Sequence, residues 1–367
     1  MNLVFYIYLS SAIIQIAFYL FVVRRLVNYV PPSLPNLKLP PVSVIICARN
    51  EAHHLPIHLP KILSQDYPNY EVIVVNDRST DQSLAILQNL AQQHSHLKII
   101  NIQTTHNQLK GKKNALDQGI NNATHNYLLM TDADCYPASN QWIQQMVRNF
   151  SEEKKIILGY GPYLVKNSFL NKCIQYETFQ TAINYLSFAT ISKPYMGVGR
   201  NLAYVKSLYK KGAGFESHKE LLSGDDDLFI NQFASTRNTT IEISPQSFCY
   251  SIPPMSWRAW YRQKRRHLTT GSHYKREYQF YLALLSLSHF GFYVSLIALL
   301  VLGYSGTMII IVYLFKIGIQ LFYARFLSKK LNLTNILPYT PLLDFLMIVY
   351  YVIFFPYLFT CKSIPWK

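Results

Sequence analysis

Acidic residues are scarce: 19 Asp and Glu stand against 35 Lys and Arg in 367 residues, a formal net charge of +16. Such an excess suits a nucleic-acid backbone, but its placement points elsewhere. The cations gather beside the hydrophobic ends of the chain (Arg24, Arg25; Arg258, Arg262, Lys264, Arg265, Arg266, Lys275, Arg276; Lys329, Lys330), where they match a positive-inside pattern and anionic lipid. Cysteine is also sparse. Cys47, Cys135, Cys173, Cys249 and Cys361 include no CxxC pair, which excludes the disulfide framework of a small secreted domain and leaves reduced thiols as the expectation. The adjacent pair His53 and His54 sits on a solvent-facing helix start and is too little for a zinc site. The first apolar run has no basic leader and no small-residue cleavage site, so it reads as an uncleaved anchor and not as a signal peptide.

What is present is a chain sized for one soluble domain plus membrane spans. Leu3 to Val23 is almost purely apolar and is followed directly by Arg24 and Arg25, which places the next domain in the cytoplasm. Tyr278 to Leu302, Thr307 to Phe326 and Pro341 to Thr360 read as three further spans, with Gly303-Tyr304-Ser305-Gly306 as a tight turn between the first two. A count of two at this end is the alternative. Lys316 and Asp344 fall inside these spans, where unpaired charge is expensive. Either they pair or line a polar cavity, or they snorkel at a misplaced span boundary.

After the linker Pro31 to Pro41, β-branched runs alternate with helical patterns: Val42 to Cys47 then Glu51 to Ser64, Tyr70 to Asn76 then Asp81 to Gln93, Leu97 to Ile102 then Gly111 to Asn121, Tyr127 to Thr131 then Ser139 to Phe150. The pattern predicts a parallel α/β sheet, whose ligands bind beyond the carboxyl ends of the strands. The expected division is an N-terminal anchor over 1–27, a linker over 28–41, a catalytic domain over 42–252, an interfacial amphipathic segment over 253–277 and a membrane region over 278–367.

Asp77 stands at one such strand end, before a turn that Ser79 or Thr80 could cap. Asp132 and Asp134 stand at another, and carboxylates at i and i+2 after a strand suit a hard cation bound to a diphosphate. Asp225, Asp226 and Asp227 open an apolar-periodic helix, where mutual repulsion raises one carboxylate's proton affinity and favours a general base. Turn residues and an acidic helix start are the plainer readings of these positions.

The ordered strings PVSVIICARNEA, VIVVNDRSTD, GKKNALDQG, LLMTDADC, GVGRNLAY, SGDDDLF and QKRRH together resemble the membrane-bound family 2 glycosyltransferases of the ceramide glucosyltransferase-like and polysaccharide synthase-like kind, over roughly residues 40 to 271. The resemblance implies a GT-A fold, Rossmann-like with a mostly parallel sheet, between flanking transmembrane α-helices. It implies that Asp77 binds the base with support from Glu51, that Lys112 lies near the nucleotide, that Asp132 meets ribose or metal, and that Asp134 is the main ligand of Mg²⁺ or Mn²⁺. It makes Asp226 the base for direct, inverting displacement, with Asp225 as runner-up. Gly197, Gly199 and Asn201 match a loop lining the sugar and acceptor region, or a plain turn. Gln263, Arg266 and His267 occupy the place of the QxxRW signature, with His267 where the family has Trp, which puts the polymer-synthase reading in doubt.

The implied partners are a nucleotide-sugar donor, UDP-linked by preference, and a lipid or lipid-linked acceptor at the cytoplasmic face of a bacterial inner membrane, with no nucleic acid. A processive polysaccharide synthase is the alternative, and a non-catalytic nucleotide-sugar-binding subunit is the reading from another class. A nucleotidyltransferase is set aside, because Cys47 to Ala52 contains no glycine for a phosphate loop.

Overall fold

The computed structural model describes residues 2–31, 39–104, 109–304 and 306–358. Most of the linker, Ser305 in the turn, and Thr360 and Cys361 lie outside the described residues. A helix over Asn2–Val27 (α1) leads to strand Val42–Ala48 (β1), helix Leu55–Leu63 (α2), strand Tyr70–Asp77 (β2), helix Ser83–Gln93 (α3), strand Leu97–Ile102 (β3), helix Lys112–Asn122 (α4) and strand Tyr127–Asp132 (β4). A short strand, Cys135–Pro137 (β5), precedes helix Trp142–Val147 (α5) and strand Ile156–Gly159 (β6). Helix Phe169–Thr190 (α6), strand Leu202–Val205 (β7), helix Lys206–Lys211 (α7), helix Asp227–Phe233 (α8), strand Thr239–Glu242 (β8) and strand Cys249–Ser251 (β9) complete the sheet domain. Helix Trp257–Leu268 (α9) then leads to the apolar helices Arg276–Val301 (α10), Gly306–Lys330 (α11) and Thr340–Phe354 (α12).

The seven-stranded sheet runs β3-β2-β1-β4-β7-β6-β8. β1 and β2 are buried along nearly their whole length, as parallel strands covered on both faces must be, and this is why they read as continuous apolar runs. The sheet is mostly parallel, as expected, with β7 lying antiparallel between β4 and β6. Four residues of Leu-Ala-Tyr-Val carry no signal of strand direction. The helix expected from Glu51 begins at Leu55, because the preceding turn is used to lock two loops together. The chain adds β2 and β3 on one side of β1 and then returns to place β4 on the other, a switch point that opens a crevice at the carboxyl ends. There Asp132 stands in register beside Cys47.

Four described helices are long and apolar enough to cross a membrane: Asn2–Val27, Arg276–Val301, Gly306–Lys330 and Thr334–Tyr357. They share a core with the sheet, since Ile45 and Ile73 belong to the same buried cluster as Tyr176 and Phe179 of α6, Leu26 of α1 and Leu327 of α11. Lys330 donates to the carbonyls of Leu26, Val27 and Tyr29 at 3.1, 2.9 and 2.6 Å, capping the end of α1. Lys316 and Asp344 do pair, at 2.7 Å. The Asp344 carboxylate also accepts from Tyr176 at 2.8 Å, Gln320 at 2.7 Å and Tyr293 at 2.5 Å, which satisfies a buried charge that lipid would not solvate.

Candidate active site

The loops after β1 and β2 are tied together at the crevice floor. Asn50, in the left-handed region at φ 56°, accepts the Thr80 amide at 2.8 Å on Oδ1 and donates its own amide to Ser79 Oγ at 2.9 Å. The Glu51 amide donates to Ser83 Oγ at 2.8 Å, and the buried Glu51 carboxylate meets His54 Nδ1 at 2.7 Å. Asp77 is fully buried at the end of β2, and its two oxygens accept from Arg78 Nε and Nη2 at 2.7 and 3.0 Å. Asp77 and Glu51, the sequence-expected base-binding pair, are thus both buried beside these tied loops, and Arg78 already engages Asp77.

At the end of β4, Asp132, Asp134 and Cys135 bring potential ligand atoms within 4.8 Å of one another. The two carboxylates offer the hard oxygen donors that Mg²⁺ or Mn²⁺ prefers. The Cys135 thiol is buried and donates to Asp134 Oδ1 at 3.4 Å. Burial, its thiol neighbour Cys249 and Asp134 push its pKa well up, so it stays a neutral thiol. The donor set fits a hard divalent ion held by Asp132 and Asp134.

Lys112, the first residue of α4, reaches across the crevice to Asp132 Oδ1 at 2.5 Å and Asp225 Oδ2 at 3.3 Å. Burial alone would raise the Asp132 pKa, but Lys112, with Arg200 and Arg266 behind it, holds that carboxyl below its ordinary range. The turn that delivers Lys112 depends on Gly111, at φ 68°, where a Cβ would overlap the Leu222 carbonyl oxygen. Lys113 is buried and donates to the carbonyls of Leu221 and Ser223. Burial lowers its pKa to about 8. The GKK turn and the loop before α8 are thus clamped face to face.

The three consecutive aspartates point three ways. Asp225 faces Lys112. Asp226 Oδ2 accepts the Gly199 amide at 2.7 Å and its Oδ1 accepts the Asp227 amide at 2.8 Å. Asp227 turns inward and accepts from Thr270 and, at 2.7 Å, from Tyr274, tying α8 to the segment entering the membrane helices. Burial, then the charges of Asp225 and Asp227, push Asp226 up to about 7. It is the carboxylate of the cleft poised to exchange a proton near neutrality.

Gly199 holds Asp226, and Gly197 packs among Leu158, Leu202 and Ile230. Asn201 corrects the sequence expectation. It is fully buried, donates to the carbonyls of Tyr160 and Ser247 at 2.8 Å each, and accepts from Trp142 Nε1 at 2.9 Å, so it builds the loop and does not line the cleft. Of the QKRRH segment on α9, Arg266 acts electrostatically on Asp132, His267 is exposed, and Gln263 Oε1 is buried without a hydrogen-bond partner among the described residues. Lys264, counted in the sequence only among the lipid-side cations, is instead buried and paired with Glu177 of α6, which fixes α9 against the domain. Trp260 packs with Tyr163, Leu170 and Ile174, while Trp257 remains exposed. Sequence reasoning also missed Lys113 and Arg200. The doubled lysine of GKK and the arginine between Gly199 and Asn201 were the available signals.

Residues 43–207 match the model of glycosyl transferase family 2, and residues 127–361, more than half of the chain, match that of glycosyl transferase family group 2. The chain belongs to the family 2 glycosyltransferases. It is 26% identical over 285 residues to the probable glycosyltransferase YdaM of Bacillus subtilis strain 168, covering 72% of this chain and 65% of YdaM. It is 25% identical over 232 residues to the poly-beta-1,6-N-acetyl-D-glucosamine synthase of Staphylococcus epidermidis, covering 61% of this chain and 53% of the synthase. The matched region thus spans less than two thirds of the length of either relative. Among solved structures, the mannosyltransferase PcManGT from Pyrobaculum calidifontis, in complex with GDP-Man and Mn²⁺, superposes with a TM-score of 0.62 over 95% of this chain and 98% of its own, at 17% identity. That likeness establishes the shared fold.

Proposed function

We propose that this protein is an inverting glycosyltransferase that moves a sugar from a nucleotide-sugar donor, UDP-linked by preference, to a lipid or lipid-linked acceptor at the cytoplasmic face of a bacterial inner membrane. The observation that carries this reading is the convergence of Lys112, Asp132 and Asp225, from three distant stretches of chain, with Asp226 beside them. A carboxylate pair able to hold a metal, a cation and a base of raised pKa are parts that suit direct displacement at an anomeric carbon.

In this mechanism Asp77 and Glu51 form the base pocket, and Asp132 and Asp134 hold Mg²⁺ or Mn²⁺. The ion, when bound, neutralises the charge developing on the departing nucleoside diphosphate. Lys112, held beside Asp132, adds its positive charge to the same end of the donor. Asp226 takes the proton of the acceptor hydroxyl as its oxygen attacks from the face opposite the leaving group, so the anomeric configuration inverts and no glycosyl-enzyme forms. Gly199 keeps Asp226 aimed through its amide. Arg266, on a helix anchored by Lys264, adds positive charge on the diphosphate side. The four apolar helices support a multi-pass membrane location with the acceptor presented by the bilayer.

The likeness to the poly-beta-1,6-N-acetyl-D-glucosamine synthase favours one second reading, processive synthesis. The test is nucleoside-diphosphate release by reconstituted protein across UDP- and GDP-sugars with Mn²⁺ or Mg²⁺ and total membrane lipid. One donor should give metal-dependent release and a labelled lipid bearing one sugar, lost in Asp134→Ala. Long products refute single transfer, and release that survives in Asp226→Asn refutes catalysis by this site.

A further inference from the structure

Arg200 lies one residue beyond Gly199, whose amide holds Asp226, and its carbonyl accepts Thr131 Oγ1 at 3.0 Å beside Asp132. The residue is therefore tied to both carboxylate-bearing walls of the cleft. Its side chain runs flat across Gly161, where a Cβ would stand 2.5 Å from Nε. The guanidinium carbon then sits 4.4 Å over the ring of Tyr163, itself buried. Stacking on an aromatic face and a backbone with no side chain beneath hold the guanidinium plane in one orientation.

For all this preparation, no carboxylate among the described residues forms an ion pair with Arg200, which acts on Asp132 only from a distance. Arg200 Nε is buried without a hydrogen-bond partner among the described residues, and there the nearby carboxylates Asp132 and Asp225 are taken by Lys112. A half-buried cation left unpaired is costly. A pre-oriented guanidinium fork matches a phosphate group in geometry as well as in charge. We propose that Arg200 is a phosphate-binding residue of the cleft, its guanidinium receiving a non-bridging oxygen of a phosphate carried either by the donor or by a phosphorylated lipid acceptor. This rests on the glycosyltransferase reading and adds to it a second anion-recognising group, on the wall that also carries the base.

The test uses the full chain in detergent, with Arg200→Met, which keeps length and apolar contact with Tyr163, and Arg200→Lys, which keeps charge without the fork. One calorimetric arm titrates UDP, GDP and CDP with Mn²⁺, and the other titrates dodecyl phosphate. Arg200→Met should weaken one arm by about 10- to 100-fold, with Arg200→Lys recovering part of the loss and the thermal midpoint little changed. Loss in the nucleotide arm assigns the donor diphosphate, and loss in the dodecyl phosphate arm assigns the acceptor. Unchanged affinity in both arms overturns the proposal, whatever happens to stability. Nucleotide binding that is lost in Asp134→Ala while both arms are kept in Arg200→Met overturns the role of Arg200 alone, whereas a native chain that binds no nucleotide overturns the glycosyltransferase reading with it.

Discussion

Asp226 should leave two opposite signatures, one in activity and one in stability. Its displacement from an ordinary 3.8 to about 7 corresponds to about 4 kcal/mol favouring the neutral carboxyl, of which about 2 kcal/mol survives solvent screening at a half-buried group. The folded protein therefore holds a proton between about pH 4 and pH 7 that the unfolded chain has released, so this residue's contribution to stability falls as pH rises through that window and is flat above it. Asp226→Asn removes the ionisation. The variant should be inactive yet more stable than the native protein at about pH 8, by about 2 kcal/mol, and the difference should close below about pH 4. In the native protein, nucleoside-diphosphate release should have an acidic limb near pH 7, where the base becomes protonated. Asp225→Asn, by removing the neighbouring charge that acts more strongly on Asp226, should move that limb to lower pH. A limb near pH 4, or one unmoved in Asp225→Asn, would show that Asp226 is not the group being titrated.

Other sites give sharper structural outcomes. Asp134→Ala should weaken Mn²⁺ binding at least about 10-fold, read by the electron paramagnetic resonance of free Mn²⁺, while the thermal midpoint without metal stays put. Gly111→Ala forces a positive φ and an overlap with the Leu222 carbonyl, and should cost about 2 kcal/mol in denaturant melts while misplacing Lys112. Asp344→Asn leaves the Lys316 ammonium unpaired within the membrane helices and should cost about 3 to 5 kcal/mol in detergent melts, with Lys316→Met in the same chain restoring most of it. Lys264→Met strands the Glu177 carboxylate, so its loss of stability should be largely reversed by adding Glu177→Gln.

Much of the frame was legible because it rests on local pattern. The runs Val42 to Cys47 and Tyr70 to Asn76 are apolar throughout, which only a doubly covered strand requires, and the strand-end positions of Asp77 and Asp132 follow from them. The spans were legible for the same reason, since twenty or so apolar residues have few uses outside a bilayer. The direction of β7 was not, because a strand's sequence is nearly indifferent to the polarity of its neighbour.

The division of labour among Asp225, Asp226 and Asp227 is where sequence and tertiary structure part. The string of three acids establishes that charge is concentrated there. Asp225 lies in the turn before the helix, Asp226 is its N-cap and Asp227 its first residue, so one aspartate meets Lys112, one meets Gly199, and one turns inward to Thr270 and Tyr274. Asn201 was misassigned on similar grounds, since its neighbours in sequence line the cleft while its own amide fills a buried gap. Sequence alone determined the family, the sheet, the apolar helices and the chemical kinds of side chain available. Only the packed chain decided which charges meet, because Lys112 and Asp225, Lys264 and Glu177, and Lys316 and Asp344 are brought together by elements whose mutual orientation no local pattern encodes.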